Sequence, residues 1–161
     1  DMAHGRLHPV TQCRLVAGLD ARGDLQALQM RLSGQSIIRK SVEEGRDPLV
    51  FQGLDEPGTE AALGYALPHL RIDHAMRNPA VRPGFWRGVN LNQNVFYLES
   101  FIDEIAHAGG QDPLALRRHL LAAQPKQLAV LDAVAARVGW GRPAPAVDGR
   151  PVFRGLATAK G

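Results

Sequence analysis

One cysteine, Cys13, stands in the whole chain of 161 residues, and a lone thiol excludes an internal disulfide framework. Its place in a run of strand formers marks it as a buried, inert thiol. Aromatic residues are also scarce, at 6%. No apolar run approaches the roughly 20 residues that span a bilayer, so no membrane insertion is expected, and nothing at the N-terminus has the shape of a signal peptide. Also missing are a phosphate-binding P-loop, a dinucleotide glycine fingerprint and a nucleophile elbow. Six histidines occur, at His4, His8, His69, His74, His107 and His119. None has a carboxylate or cysteine at metal-ligand spacing, so no metal site is expected from them. The formal charge of +3 comes from scattered arginines, which read as a solvated surface rather than a nucleic-acid stripe.

What is present is the composition of one folded domain, 45% apolar and 22% charged, long enough to bury a sizeable core. The chain opens DMAHGRLHPV and closes TAKG, without an initiator methionine and just as a strand is due, which suggests a piece of something longer. Residues 10–19, VTQCRLVAGL, are strand formers, DARG offers a tight reversal, and LQALQMRL returns with Leu28, Met30 and Leu32 alternating against Gln29 and Arg31. From Ser33 to Leu63 the pattern breaks into Gly, Pro and acidic residues, a long excursion with one short helical piece. That excursion is expected to pack on parts of a larger subunit rather than on this chain's own core. HLRIDHAM, residues 69–76, is a third strand, stopped by Asn78-Pro79.

Three helices follow. Val95, Leu98, Phe101, Ile102, Ile105 and Ala108 form an apolar stripe that ends at Gly109-Gly110. Asp112-Pro113 starts a second helix, with Leu116, Leu120 and Leu121 as its buried face. Pro125 opens a third, striped by Leu128, Leu131, Val134, Ala135 and Val138 and closed by Gly139. GRPAPAVDGRP connects to VFRGLATA, which reads as a further strand. The fold class is therefore α+β in a single module: strand-rich at 7–76, a loop at 81–90, helical at 91–139, and a connector and strand at 140–161.

The loop VRPGFWRGVN, residues 81–90, holds the chemistry of interest. Gly84 and Gly88 let the main chain approach a ligand, and the helix beyond offers unpaired N–H groups and a positive dipole end. Arg82 and Arg87 add charge, with no acidic residue before Glu99. Two readings stand side by side: an anion-facing loop, or a structural corner of Trp and Arg between strand and helix. Glu99, Asp103 and Glu104 could suggest acid–base work, but they lie on or beside an amphipathic stripe and read as a solvated helix face.

PGFWRGVNLNQNVFYLESFIDEIAHAGGQDPLALRRHLL, residues 83–121, resembles the large molybdenum-binding subunit of the molybdenum hydroxylases, the xanthine dehydrogenase and aldehyde oxidase group, and within it the isoquinoline 1-oxidoreductase type. The ordered set is a Trp-Arg loop, a helix with Glu99 and the run Ile102 to Ala106, then Gly110, Asp112-Pro113, Arg117 or Arg118, and Leu120. HPVTQCRLVAGLDARGDLQAL, GQSI, VGWGRP and FRGLA extend the likeness over nearly the whole chain, although it corresponds to only an internal portion of such a subunit. The resemblance implies hydroxylation of an N-heterocycle, or oxidation of an aldehyde, with water as oxygen source at a molybdenum held by molybdopterin cytosine dinucleotide. It implies a [2Fe-2S] partner subunit, a cytochrome acceptor and a bacterial periplasmic setting. On this likeness Trp86, Arg87 and Gly88 face the cofactor and Val89 faces substrate, with Trp86 as packing that fixes the loop. Val89, where an aromatic often stands, disfavours a purine-like substrate, and Asn90 replaces a usual glycine. The family's glycine-rich cofactor loop and its basic glutamate lie outside these residues, so the chain alone is expected to bind no cofactor and to be inactive. A non-catalytic binding module retaining part of the fold is the alternative.

Overall fold

The computed structural model describes residues 7–38, 47–54 and 64–159. Strands β1 (Thr11–Leu19) and β2 (Leu25–Gly34) form an antiparallel hairpin in which Arg14 pairs with Arg31 and Leu15 with Met30. Strand β3 (His69–Met76) adds to the far side of β2 in parallel, Met30 opposite Ile72, giving the order β1-β2-β3. Parallel pairing accounts for the long excursion: a strand that runs alongside its predecessor in the same direction needs a crossover of a dozen or more residues. The described residues of that crossover include a single turn of 3-10 helix at Pro48–Phe51, capped by the Asp47 carboxylate, which accepts from Leu49 N at 2.9 Å.

Helices α1 (Leu91–Ala108), α2 (Pro113–Leu120) and α3 (Pro125–Val138) follow. The architecture is α+β, a three-stranded sheet and then three helices. Alternation along the strands sends Leu28, Met30, Leu32 and Ile72 into one core with Leu98, Ile102 and Ile105 of α1 and Leu116, Leu120 and Leu121 beyond it. The opposite sheet face carries exposed Gln12, Arg14, Arg31 and Arg71. At the edge of the sheet, Tyr97 of α1 ties down β1 through Thr11, with 2.8 Å between the two hydroxyls. Helix boundaries follow the capping chemistry. Asp112 accepts from Leu114 N and Ala115 N, both at 3.0 Å, and Gly139 closes α3 in the left-handed conformation.

Four expectations are corrected. The α1 stripe closes on Ala106, which is buried, not on exposed Ala108, because residue 106 lies one turn on from Ile102. In α3 only Leu131 and Ala135 are buried, while Val134 and Val138 are exposed, so its apolar stripe is wider than the surface it packs against. The crossover does not turn away from this chain's core, since Leu54 lies within it and Val50 is buried. Residues 39–46 and 55–63 of that excursion lie outside the described residues. Finally, residues 152–159 pair with no strand. They dock on helices instead, with Leu156 buried in the core and Thr158 N donating to the Glu99 carboxylate of α1 at 3.1 Å.

Candidate functional site

The loop before α1 is built from two overlapping turns. Val89 N donates to Trp86 O at 2.8 Å and Leu91 N to Gly88 O at 2.9 Å, which throws Gly88 to φ 84° and Val89 to φ 49°. Position 88 favours glycine. Its backbone is left-handed, and a Cβ there would also displace the Asn92 side-chain amide. Val89 is a β-branched residue in the same region, a strained conformation that the surroundings must hold in place.

Asparagines hold it. Asn90 is buried and donates from Nδ2 to Leu49 O at 2.9 Å, while its own N–H donates to Gln52 Oε1 at 3.2 Å. One turn along, buried Asn94 donates to Val50 O at 2.8 Å and Gln52 O at 3.0 Å. Asn92 donates to Arg87 O at 2.5 Å. The loop and the 3-10 turn at 48–51 are thus one polar-stitched unit. The alternation NLNQN was the available signal, since asparagine is a poor helix former whose amide competes for backbone partners.

On that base the four candidate residues sit together as consecutive positions but face different surroundings. Trp86 is 55% exposed and Arg87 is exposed, whereas Gly88 and Val89 are half-buried. Within this chain Trp86 is therefore not the packing that fixes the loop; the asparagines are. Arg82 is exposed too, and among the described residues neither it nor Arg87 forms an ion pair. The first turn of α1 contains no acidic residue, and no side chain caps it. A cleft of about 320 Å³ beside the loop is lined by Gln35, Ser36, Asn78 and Arg82, among others.

A second polar centre lies inside the molecule. Arg117 of α2 is fully buried and donates from Nε to Glu99 Oε2 at 3.0 Å, from Nη2 to Glu99 O at 2.9 Å, and from Nη1 to Asp103 Oδ1 at 2.6 Å. Tyr65 donates to the other Glu99 oxygen at 2.8 Å. Glu99 is therefore not on a solvated helix face: it is buried, as is the arginine that pairs with it. Glu104 is exposed, as expected. Burial pushes the Glu99 carboxyl above its ordinary range, against the pull of Arg117, Tyr65 and Thr158 N. Burial also raises the Tyr65 hydroxyl, and the Glu99 charge adds to it. The signal for this pair was positional: Glu99 is three residues before Ile102, and Arg117 is three before Leu120 and three after Leu114, each charge falling within an apolar stripe. Burial likewise pushes the Cys13 thiol up to about 11, which keeps it protonated and unreactive.

The loop's donor set fits an anionic cofactor: a helix start without a side-chain cap and two exposed arginines without an ion pair among the described residues. Comparison with known proteins gives a match. A nicotinate dehydrogenase subunit of Pseudomonas putida is 38% identical over 129 residues, covering 76% of this chain and 10% of that protein. The chain is similar to a piece of that relative. The chain spans about a tenth of the length of the relative it matches. No family model matches the chain.

Proposed function

We propose that this chain is a segment of the molybdenum-binding subunit of a hydroxylase acting on an N-heterocycle, with the turn at residues 86–89 lining the cofactor pocket. The observation that carries the reading is the loop itself, anchored from below by Asn90 and Asn94 and presenting Trp86 and Arg87 outward. When bound, a molybdenum–pterin group supplies the two-electron redox chemistry of such an enzyme. This chain's residues supply the setting. Arg87 and Arg82 offset the negative charge of the dinucleotide, Gly88 allows the left-handed turn that presents them, and Val89 offers an aliphatic contact to substrate. The likeness to a nicotinate dehydrogenase favours a heterocycle over an aldehyde, and Val89, where an aromatic often stands, disfavours a stacked purine.

The isoquinoline 1-oxidoreductase type, the cytosine form of the dinucleotide, a [2Fe-2S] partner subunit, a cytochrome acceptor and a periplasmic setting all belong to this proposal. So does the inactivity of residues 1–161 alone. The test is to purify the isolated chain and, beside it, the longest in-frame polypeptide encoding it together with any co-encoded iron–sulfur partner. The longer protein is expected to contain molybdenum by elemental analysis and to hydroxylate nicotinate or isoquinoline, and the isolated chain neither. A longer protein with no molybdenum and no turnover would leave the non-catalytic binding module instead.

A further inference from the structure

A small internal cavity lies between the end of the sheet and the start of α1, lined by Thr11, Ser33 and Val50 together with His74 of β3 and Asn90 and Gln93 of the loop–helix junction. Two polar atoms buried in these side chains, His74 Nε2 and Gln93 Oε1, have no hydrogen-bond partner among the described residues. A buried polar atom without a partner is costly, and most such atoms in folded proteins are satisfied by protein or by ordered water.

The orientation of Gln93 is fixed by its neighbours. Asn90 spends its amide hydrogen bond on Leu49 O at 2.9 Å, so its Oδ1 is left as an acceptor, and Gln93 Nε2 donates to it at 2.5 Å. Gln93 Oε1 must then point the other way. The cavity leaves about 10 Å³ for the centre of a water molecule, close to the roughly 10–15 Å³ that one water requires. We infer that a single structural water occupies this cavity and bridges His74 of β3 to Gln93 of α1. The water donates one proton to Gln93 Oε1, which can only accept. It satisfies His74 Nε2 in either neutral tautomer, accepting from an N–H or donating to a bare nitrogen. Phe51 packs edge-on to the His74 ring, with centroids 6.3 Å apart, and holds it in place. His74 thereby becomes a positioning residue: through the water and Gln93 it reaches Asn90, the residue that anchors the 86–89 turn. This inference is independent of the proposed enzymatic role.

A high-resolution crystal structure of the chain is expected to show one ordered water within hydrogen-bond reach of both atoms. An empty cavity, or a direct His74–Gln93 hydrogen bond, would overturn the inference. Thermal melts of His74→Phe, Gln93→Leu and the double variant give a second, independent reading. Each single change orphans the shared water and should lower the melting temperature by about 2–4 °C. The double variant should lose clearly less than the sum, since its second change removes a partner already lost. Strict additivity would count against the bridge, and the crystal structure of the unsubstituted chain decides if a variant does not fold.

Discussion

Arg117 and Arg87 present two opposite solutions to placing a guanidinium. Arg117 is wholly enclosed and each nitrogen of its guanidinium meets an oxygen, from Glu99, Asp103 or Pro113. Arg87 is exposed, with no ion-pair partner among the described residues, at the tip of a strained turn. An arginine whose partners lie within the chain serves the fold, whereas an exposed one adds little to it. The comparison is therefore one between an enclosed and an exposed guanidinium, and it can be broken at either end.

The largest effect is expected at the enclosed end. Arg117→Met leaves the Glu99 carboxylate buried and unpaired, a change that costs on the order of 3–5 kcal/mol. Chemical denaturation should show it directly. Adding Glu99→Met should recover much of the loss, because replacing both members of a buried pair by apolar groups is far milder than removing one. If the double variant is as unstable as the single, the pair is not what makes Arg117 indispensable.

The asparagine anchors come next. Asn94→Ala removes two hydrogen bonds to the 3-10 turn, and Asn90→Ala removes the bond to Leu49 O. Each is expected to cost about 1–3 kcal/mol by leaving buried carbonyls unsatisfied. Backbone amide exchange should quicken at residues 86–90 in both variants, because these two asparagines join the loop to the 3-10 turn beneath it. Unchanged exchange would show that the turn holds itself.

These anchors mark where the sequence was readable. The hairpin, β3 and all three helices were legible because each depends on a local period or a local cap: Asp112-Pro113 and Gly139 behave as their chemistry dictates. What stayed hidden depends on partners distant in sequence. Pairing of β3 with β2 joins residues 42 apart, as in Gln29 to Arg71, and nothing in HLRIDHAM says which neighbour or direction it takes. The strand expected at 152–159 failed for the converse reason, since extended chain becomes a strand only beside an open edge, and here Thr158 meets Glu99 of a helix instead. In the candidate loop neither the exposure of Trp86 nor the anchoring role of Asn90 was legible.

Val89→Gly moves in the opposite direction from the losses above. A valine at φ 49° carries roughly 1–2 kcal/mol of left-handed strain, and glycine costs about 0.5–1 kcal/mol in entropy. The variant should gain a few tenths to about 1 kcal/mol in a denaturation melt. A loss would mean that the Val89 side chain packs more favourably than its half-buried state suggests.

A pH titration probes the region under the loop. Burial holds His74 below its ordinary value of 6.5, outweighing the pull of the nearby Asp47 carboxylate. As pH falls, the unfolded chain takes up this proton before the folded one. The contribution is therefore fully present above about 6.5 and is lost progressively as pH drops through the lower folded value. Melting temperature against pH should decline over that window, and His74→Phe should flatten the decline. A slope that survives the substitution belongs to other groups.

The smallest effect on stability is expected at the exposed end, and it is the most informative. Trp86 and Arg87 make few enclosing contacts, so Trp86→Ala and Arg87→Lys in this chain should each leave the melting temperature within about 2 °C of the original. In a longer cofactor-bearing subunit the outcomes should separate. Arg87→Lys keeps the charge but loses the planar fork, so molybdenum content should hold while turnover falls if the guanidinium orders an anionic group. Trp86→Ala should lower molybdenum content if its exposed ring is covered by the cofactor or by the rest of the subunit. If both variants instead destabilise the isolated chain, the outward presentation of the loop is not how it sits in solution. If both leave metal content and turnover untouched in the longer protein, the turn is a structural corner, and the contrast between Arg117 and Arg87 is one of burial alone.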